Sequence, residues 1–169
     1  MMKYLKSTKY GLDWEKEMMI IHQDYFKGEI RKASKIEDMR QHIDFWWRQD
    51  KNSPWISYDV KAIKRSSRKA GFFDGTIHWL ELQNTVGNLG WIYGKEDYVI
   101  FTTEDTAIYV RTKKLPLYIE PKIKGKKIVN STPYEFYIPY QRPGNRDLIV
   151  KVPTYDLRKI ADFEIKLPK

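Results

Sequence analysis

Two aspartates and a lysine in one short segment have the residue types of a metal-dependent hydrolytic site. Asp59 and Lys61 are two residues apart in a segment of strand-like alternation, so their side chains should point to the same face. Asp44 lies on a preceding segment that can pair with that strand. Two carboxylates facing each other across a hairpin would repel, and a divalent cation between them would turn that repulsion into binding. The set therefore predicts a site for Mg²⁺ or Mn²⁺, which prefer hard oxygen ligands.

The lysine beside such a metal extends the prediction to phosphodiester chemistry. Its amino group could orient or deprotonate a water molecule, or stabilise the negative charge that grows on a phosphate. The alternative for Lys61 is an ion pair with a carboxylate on a solvated sheet face. Two similar patterns, beginning at Glu120 and Glu164, lack an acidic partner on a preceding strand. Only the pattern at Asp59 therefore predicts a site.

A helix and a hairpin are the elements that should position these residues. Residues 13–28 predict the helix, with Asp13 as its cap, Gly28 as its end and an apolar stripe at helical spacing. Residues 42–47 and 55–64 predict the two strands of the hairpin, joined by a turn over 48–54. Further strands are predicted over 76–83, 97–103 and 106–111, and short helices over 36–40 and 155–161.

This order of elements, which begins with a helix, predicts an α+β (mixed α/β) fold. The length of 169 residues fits a single domain over 1–169. Prolines are frequent from residue 116 onward, and they favour short strands and loops at most. Residues 112–169 are therefore predicted to form an irregular strand and loop extension.

The charge balance points to a polyanionic partner. Lysine and arginine number 31 against 22 acids, which gives a net charge of +9, and nucleic acid is the simplest partner for it. Five positive charges fall within nine residues with no acid among them: Lys61, Lys64, Arg65, Arg68 and Lys69. This run predicts a loop that contacts phosphates; the alternative is a solvated loop.

The composition also excludes several classes of protein. The chain has no cysteine, which excludes a disulfide scaffold and thiolate metal sites and is compatible with the cytoplasm. No stretch approaches 18 apolar residues, so neither a membrane-spanning helix nor a membrane partner is expected.

The helix, Asp44, the hairpin and Asp59-Val60-Lys61 together resemble the PD-(D/E)XK nuclease superfamily. The layout is similar to that of Holliday junction resolvase-like proteins, and the segments 58–65, 79–84 and 90–94 are also similar to uncharacterised phage proteins of the superfamily. The resemblance covers about residues 11–111. It implies a restriction-endonuclease-like core of one helix, a mixed sheet and a second helix. It also implies a Mg²⁺-dependent endonuclease in which Asp44 and Asp59 bind the metal and Lys61 assists the attacking water.

The same resemblance suggests a further acid on the first helix. Gly11-x-x-x-Glu15 is similar to the resolvase version of that motif, although Glu17 lies on the same helix and spacing does not choose between them. The sequence departs from the family pattern in two ways. Ile43 stands where a proline is usual, and another strand replaces the helix expected soon after Lys61.

That additional strand leaves open a second register for the site, that is, a second assignment of residues to the motif positions. Asp59 would then be the first acid, followed by Glu81 and by Gln83 in the place of the lysine. A glutamate on the otherwise apolar face of this strand would be costly unless it were paired or bound to metal. The Asp44, Asp59 and Lys61 register is preferred because it retains the lysine.

Together these patterns predict a nuclease that acts on duplex or branched DNA, with RNA as a second candidate substrate. The resemblance is compatible with a phage or mobile element as the source, with action in the host cytoplasm, and with a homodimer. The competing class is a non-catalytic nucleic-acid-binding or structural phage protein that retains the fold. An unrelated basic α+β interaction module would place Asp44 far from Asp59.

Overall fold

The computed structural model describes residues 11–63 and 74–168, with side chains from residue 14 onward. Most of the predicted phosphate-binding loop, comprising Lys64, Arg65, Arg68 and Lys69, lies outside these residues. Within the described chain, four helices, a six-stranded mixed sheet and a three-stranded antiparallel sheet make up an α+β fold. This confirms the predicted fold class, the mixed sheet and the N-terminal helix.

The helices are α1 (Gly11–Phe26), α2 (Lys35–Gln41), α3 (Lys114–Ile123) and α4 (Thr154–Ile160), and a short 3₁₀ turn spans Trp91–Tyr93. The strands are β1 (Glu29–Lys32), β2 (Phe45–Arg48), β3 (Ile56–Lys61), β4 (Ile77–Gln83), β5 (Tyr98–Thr102), β6 (Thr106–Arg111), β7 (Pro139–Gln141), β8 (Leu148–Pro153) and β9 (Phe163–Lys166). None of the described helices has the length and apolar character needed to cross a bilayer.

The main sheet has the strand order β1-β2-β3-β5-β6-β9. All its pairings are antiparallel except that of β3 with β5, which is parallel. The chain that connects these two strands contributes β4 to the second sheet, whose order is β4-β8-β7. The strand that carries Asp59 therefore lies inside the main sheet, with neighbours on both sides.

Each face of the main sheet has its own hydrophobic core. Alternate residues of a strand point to opposite faces, so neighbouring apolar residues enter different cores. The first core packs α1 onto the sheet and includes Met18, Phe45 and Tyr58. The second packs β4, β8, α3 and α4 onto the other face and includes Leu80 and Phe101.

The C-terminal part of the chain is more regular than the prediction of strands and loops. Residues 114–123 form α3 despite two prolines. Pro116 occupies its first turn, where no intrahelical N–H bond is lost, whereas Pro121 lies inside the helix and cannot donate one such bond. Leu115 and Ile119 are one turn apart and fully buried, so packing stabilises the helix. β9 then pairs with β6 and forms an edge of the main sheet.

Two glycines with similar backbone conformations differ in the space around them. Gly28 has φ +79°, and a Cβ there would collide with the carbonyl oxygen of Arg48. Gly125 has φ +77° and no heavy atom within 4 Å of that position. We expect Gly28→Ala to lower the free energy of unfolding by about 2–4 kcal/mol, and Gly125→Ala by only about 1 kcal/mol. Urea unfolding measures both, and equal losses would contradict the role of this contact.

Candidate active site

Asp44 is held against the strand that carries Asp59. It immediately precedes β2, and its backbone N–H donates to the carbonyl oxygen of Tyr58 at 2.8 Å. Its carboxylate Oδ2 accepts a hydrogen bond from the backbone N–H of Val60 at 2.6 Å. Asp44 is 8% exposed and Asp59 is 2% exposed. Both acids are therefore buried, and Asp44 is bonded to the residues on either side of Asp59.

Lys61 completes this group through an ion pair. Its Nζ lies 2.6 Å from Oδ2 and 2.8 Å from Oδ1 of Asp59. The same nitrogen lies over the ring of Trp91, 4.7 Å from the centroid. The predicted sharing of one strand face by Asp59 and Lys61 is therefore present as a direct contact.

The acids make Lys61 a persistent cation. Burial opposes its charge, but the ion pair with Asp59 and the charges of Asp44 and Glu96 raise its pKa above the ordinary lysine value. A lysine with a raised pKa is protonated at neutral pH, so its amino group acts as a hydrogen-bond donor and a positive charge. In this protonated form it cannot act as a general base.

The two buried aspartates oppose each other's ionisation. Burial and then the charge of Asp59 raise the pKa of Asp44 to about 8, against the lowering effects of the Val60 N–H and Lys61. Two like charges in a site of low dielectric hold a proton between them until a cation compensates. The pair therefore favours a bound proton or a bound cation.

Glu15 joins this group from α1. A cleft of about 160 Å³ is lined by Glu15, Lys32, Ala33, Lys35, Asp38 and Asp44. Burial raises the pKa of Glu15, Lys32 lowers it, and the charges of Asp38 and Asp59 raise it further. Of the two glutamates that spacing left open, Glu15 is the one that lines the cleft with Asp44.

Glu96 is an acid near the site that the sequence patterns did not reveal. It lies two residues before β5, is 3% exposed, and feels the charges of Asp59 and Lys61. Burial and Asp59 raise its pKa to about 8. Gly94 leaves room for its carboxylate, since a Cβ there would collide with Oε2. The only local signal was a single acid before an apolar strand, and the burial of Glu96 depends on elements that are distant in sequence.

Glu81 and Gln83 belong to the second sheet. They lie on β4, which pairs with β8 and has no backbone pairing with β3. The buried side of β4 carries His78, Leu80 and Leu82, so Glu81 and Gln83 point to its other, half-exposed side. The amide of Gln83 donates to the carbonyl oxygen of Arg146 at 2.6 Å. Because that face is partly solvated, Glu81 needs no metal to offset its charge, and the second register loses its support.

The donor set fits a hydrated divalent cation better than a closed protein cage. In residues 11–63 and 74–168, no three or more His, Cys, Asp or Glu side chains converge to hold a metal ion. Magnesium characteristically keeps several waters and uses one or two carboxylates with substrate oxygens. Asp44 and Asp59 can supply those two carboxylates, and their mutual repulsion favours a cation. Zinc and calcium sites normally need more protein ligands than this.

A scan against protein-family models, a search of curated proteins and a search of solved structures each found no match.

Proposed function

We propose that the chain is a Mg²⁺- or Mn²⁺-dependent nuclease that hydrolyses phosphodiester bonds in DNA. The observation that carries this proposal is the buried pair Asp44 and Asp59 with Lys61 in direct contact. Buried charges are retained only when paired or used, because their desolvation is costly. The carboxylates outnumber the single lysine, so the site has negative charge left to bind a cation. The bound cation can then attract an anionic substrate.

The topology of the main sheet supports the finer proposal of a restriction-endonuclease-like core. β3 is antiparallel to β2 and parallel to β5, and α1 covers one face of this mixed sheet. The connection between β3 and β5 departs from the expected pattern. In its described part it contains β4 and a 3₁₀ turn where the resemblance implies an α-helix.

Asp44 and Asp59 would hold the metal, which when bound would polarise the phosphate and lower the pKa of its water. Hydrolysis adds the hydroxyl of water to phosphorus, breaks one P–O bond and delivers a proton to the leaving sugar oxygen. Lys61, as a cation, donates hydrogen bonds to water or to a phosphate oxygen and stabilises the charge that grows there. Val60 fixes the position of Asp44 through its backbone N–H.

Cations around the cleft support a polyanionic substrate. Lys32 and Lys35 line the cleft beside its three acids, and the whole chain carries +9. Such charges attract the phosphate backbone in a salt-dependent way. We place the activity in the cytoplasm, that of the host if a phage or mobile element encodes the chain.

Cleavage of labelled duplex, single-stranded and branched DNA tests the proposal. The full chain should cut at least one of these substrates with Mg²⁺ or Mn²⁺ and none in EDTA. Asp59→Asn, purified in the same way, should be inactive because it removes one of the two metal-binding carboxylates. Cleavage in EDTA, or equal cleavage by Asp59→Asn, would reject the site and point to a contaminating nuclease.

A non-catalytic nucleic-acid-binding role is the second candidate. The closed ion pair between Lys61 and Asp59 favours it, since the two charges offset each other without a metal. This role predicts DNA binding by the full chain with no cleavage of any of the three substrates.

A further inference from the structure

Arg31 and Trp46 lie on the same face of the main sheet as Asp59. In the strand register Arg31 faces Trp46, and Trp46 faces Ser57, two residues before Asp59 on β3. Alternate residues of a strand share a face, so these side chains point to one side. The opposite side of β1, β2 and β3 packs against α1. The face with Asp59 is therefore continuous with the surface around Trp46.

Arg31, Trp46, Arg48 and Trp55 form what we call the aromatic–arginine surface. Cζ of Arg31 lies 4.9 Å from the ring centroid of Trp46 and 5.6 Å from that of Trp55. Cζ of Arg48 lies 4.5 Å from the centroid of Trp55. Both tryptophans are half-buried, and neither belongs to the two cores of the described chain. Guanidinium groups cover these rings, and the Arg31 side chain is itself 43% exposed.

Ion pairs hold both arginines in place and offset their charge. Arg31 pairs with Glu37 at 2.9 Å, and Arg48 pairs with Glu29 at 2.5 Å. Because its charges are offset, the surface by itself is poorly suited to attract phosphates. It offers flat groups on which nucleic-acid bases stack, namely indole rings and guanidinium planes. Base faces are available for stacking only where bases are unpaired, because a duplex keeps them inside.

The surface lies within a few nucleotide lengths of the candidate active site. Strand residues rise about 3.4 Å each, so Trp46 is about 7 Å and Arg48 about 14 Å from Asp44 along β2. Stacked nucleotides rise about 3.4 Å each, so the same path covers about two to four nucleotides. A nucleic-acid strand whose phosphate reaches Asp44 and Asp59 can thus place its neighbouring bases on the aromatic–arginine surface.

We propose that the aromatic–arginine surface binds an unpaired segment of nucleic acid next to the cleaved phosphate. Bases stack on the guanidinium planes of Arg31 and Arg48, which rest on the indoles of Trp46 and Trp55. The substrate is then single-stranded or branched DNA, and a fully paired duplex is excluded. The position of the cleaved phosphate rests on the proposed function, whereas the binding itself needs neither metal nor cleavage.

Fluorescence anisotropy in EDTA tests this binding with the full chain. The probes are a short oligo(dT) and a blunt duplex of the same length. Arg31→Lys retains the charge but loses the planar group, and Trp55→Ala removes one ring. Each should weaken oligo(dT) binding about fivefold or more and duplex binding less than twofold.

Arg158→Lys is the matched control. Arg158 is 40% exposed and pairs with Glu164 of β9, at the sheet edge opposite β1. This variant should bind both probes as the wild type does. Should Trp55→Ala fail to fold by circular dichroism, Arg31→Lys decides the question because its side chain is exposed.

Three results would overturn the proposal: no binding of oligo(dT) by the wild type, unchanged oligo(dT) binding by Arg31→Lys, or equal weakening for oligo(dT) and duplex. The fate of the proposed function is read separately, from cleavage with Mg²⁺. If DNA is cleaved but oligo(dT) binding does not depend on Arg31, only the proposal for the aromatic–arginine surface is rejected. If oligo(dT) binding depends on Arg31 but no DNA is cleaved, only the proposed nuclease function is rejected.

Discussion

Replacing Lys61 with methionine should reduce DNA cleavage about 100- to 1,000-fold while DNA binding stays within about threefold. The loss follows from removing one positive donor that faces the growing charge on the phosphate. Methionine has a similar length and retains the packing of the side chain on Trp91. Single-turnover cleavage at saturating Mg²⁺ measures the first effect, and anisotropy in EDTA measures the second.

The Mg²⁺ requirement distinguishes this role from metal binding. Without the ammonium group, Asp59 loses a competitor for the cation, so the Mg²⁺ concentration for half-maximal cleavage should not rise. Lys114→Met is the matched control, because Lys114 also pairs with an aspartate, Asp162, at 3.0 Å but lies on α3. It should cleave as the wild type does. If Lys61→Met cleaved DNA at the wild-type rate, Lys61 would have no role in the mechanism.

Replacing Asp44 with asparagine should stabilise the metal-free protein at alkaline pH and abolish its stabilisation by Mg²⁺. The pKa of Asp44 is raised from 3.8 to about 8. The folded state therefore holds a proton between about pH 4 and 8 that the unfolded state has released. Stability falls as pH rises through this range, and the full penalty is present above about pH 8. Asparagine avoids this penalty, and its side-chain oxygen can still accept the hydrogen bond from Val60.

Thermal unfolding in EDTA between pH 4 and 9 measures the difference between the variant and the wild type. The difference should be small near pH 4 and reach about 5 °C or more in favour of Asp44→Asn above pH 8. Added Mg²⁺ should raise the Tm of the wild type but not that of the variant, because a ligand stabilises only the protein that binds it.

Asp162→Asn is a control of opposite sign. Burial raises the pKa of Asp162, but Lys114 and Arg111 outweigh burial and hold it below the ordinary value. This variant should therefore lose stability at neutral pH. A lower Tm for Asp44→Asn at pH 8.5, or an equal Mg²⁺ shift in it and the wild type, would contradict the electrostatic account of the site.

Local patterns predicted the elements that hold the core of the site. The helix around Met18 and the strands that carry Phe45 and Asp59 have clear periodicity, because one face of each is buried. The structure places these elements close to the predicted positions, although α1 begins at Gly11, which puts Asp13 inside the helix. That Asp59 and Lys61 share a face followed directly from strand alternation, whereas their ion pair was the alternative to a metal-assisting lysine.

Non-local contacts account for what the sequence did not reveal. β1 and β9 are edge strands with polar exposed residues, so their pattern resembles that of loops. Glu96 is buried only because other segments enclose it. Glu81 was ambiguous because alternation shows that its side chain shares a face with Trp79, but not which sheet the strand enters. The choice of Glu15 over Glu17 likewise depends on how α1 sits on the sheet.

The parallel pairing of β3 with β5 has a consequence for how the site forms during folding. The hairpin of β2 and β3 closes through neighbouring residues, whereas β3 meets β5 only after the chain has passed through the second sheet. Such pairing must overcome a large loss of chain entropy, so it is intrinsically slow. Asp44 and Asp59 can therefore meet early on the folding pathway, and Glu96 is added late. β8 and β9 come later still in the sequence, so the second sheet and the β9 edge of the main sheet are completed after the hairpin that carries Asp59.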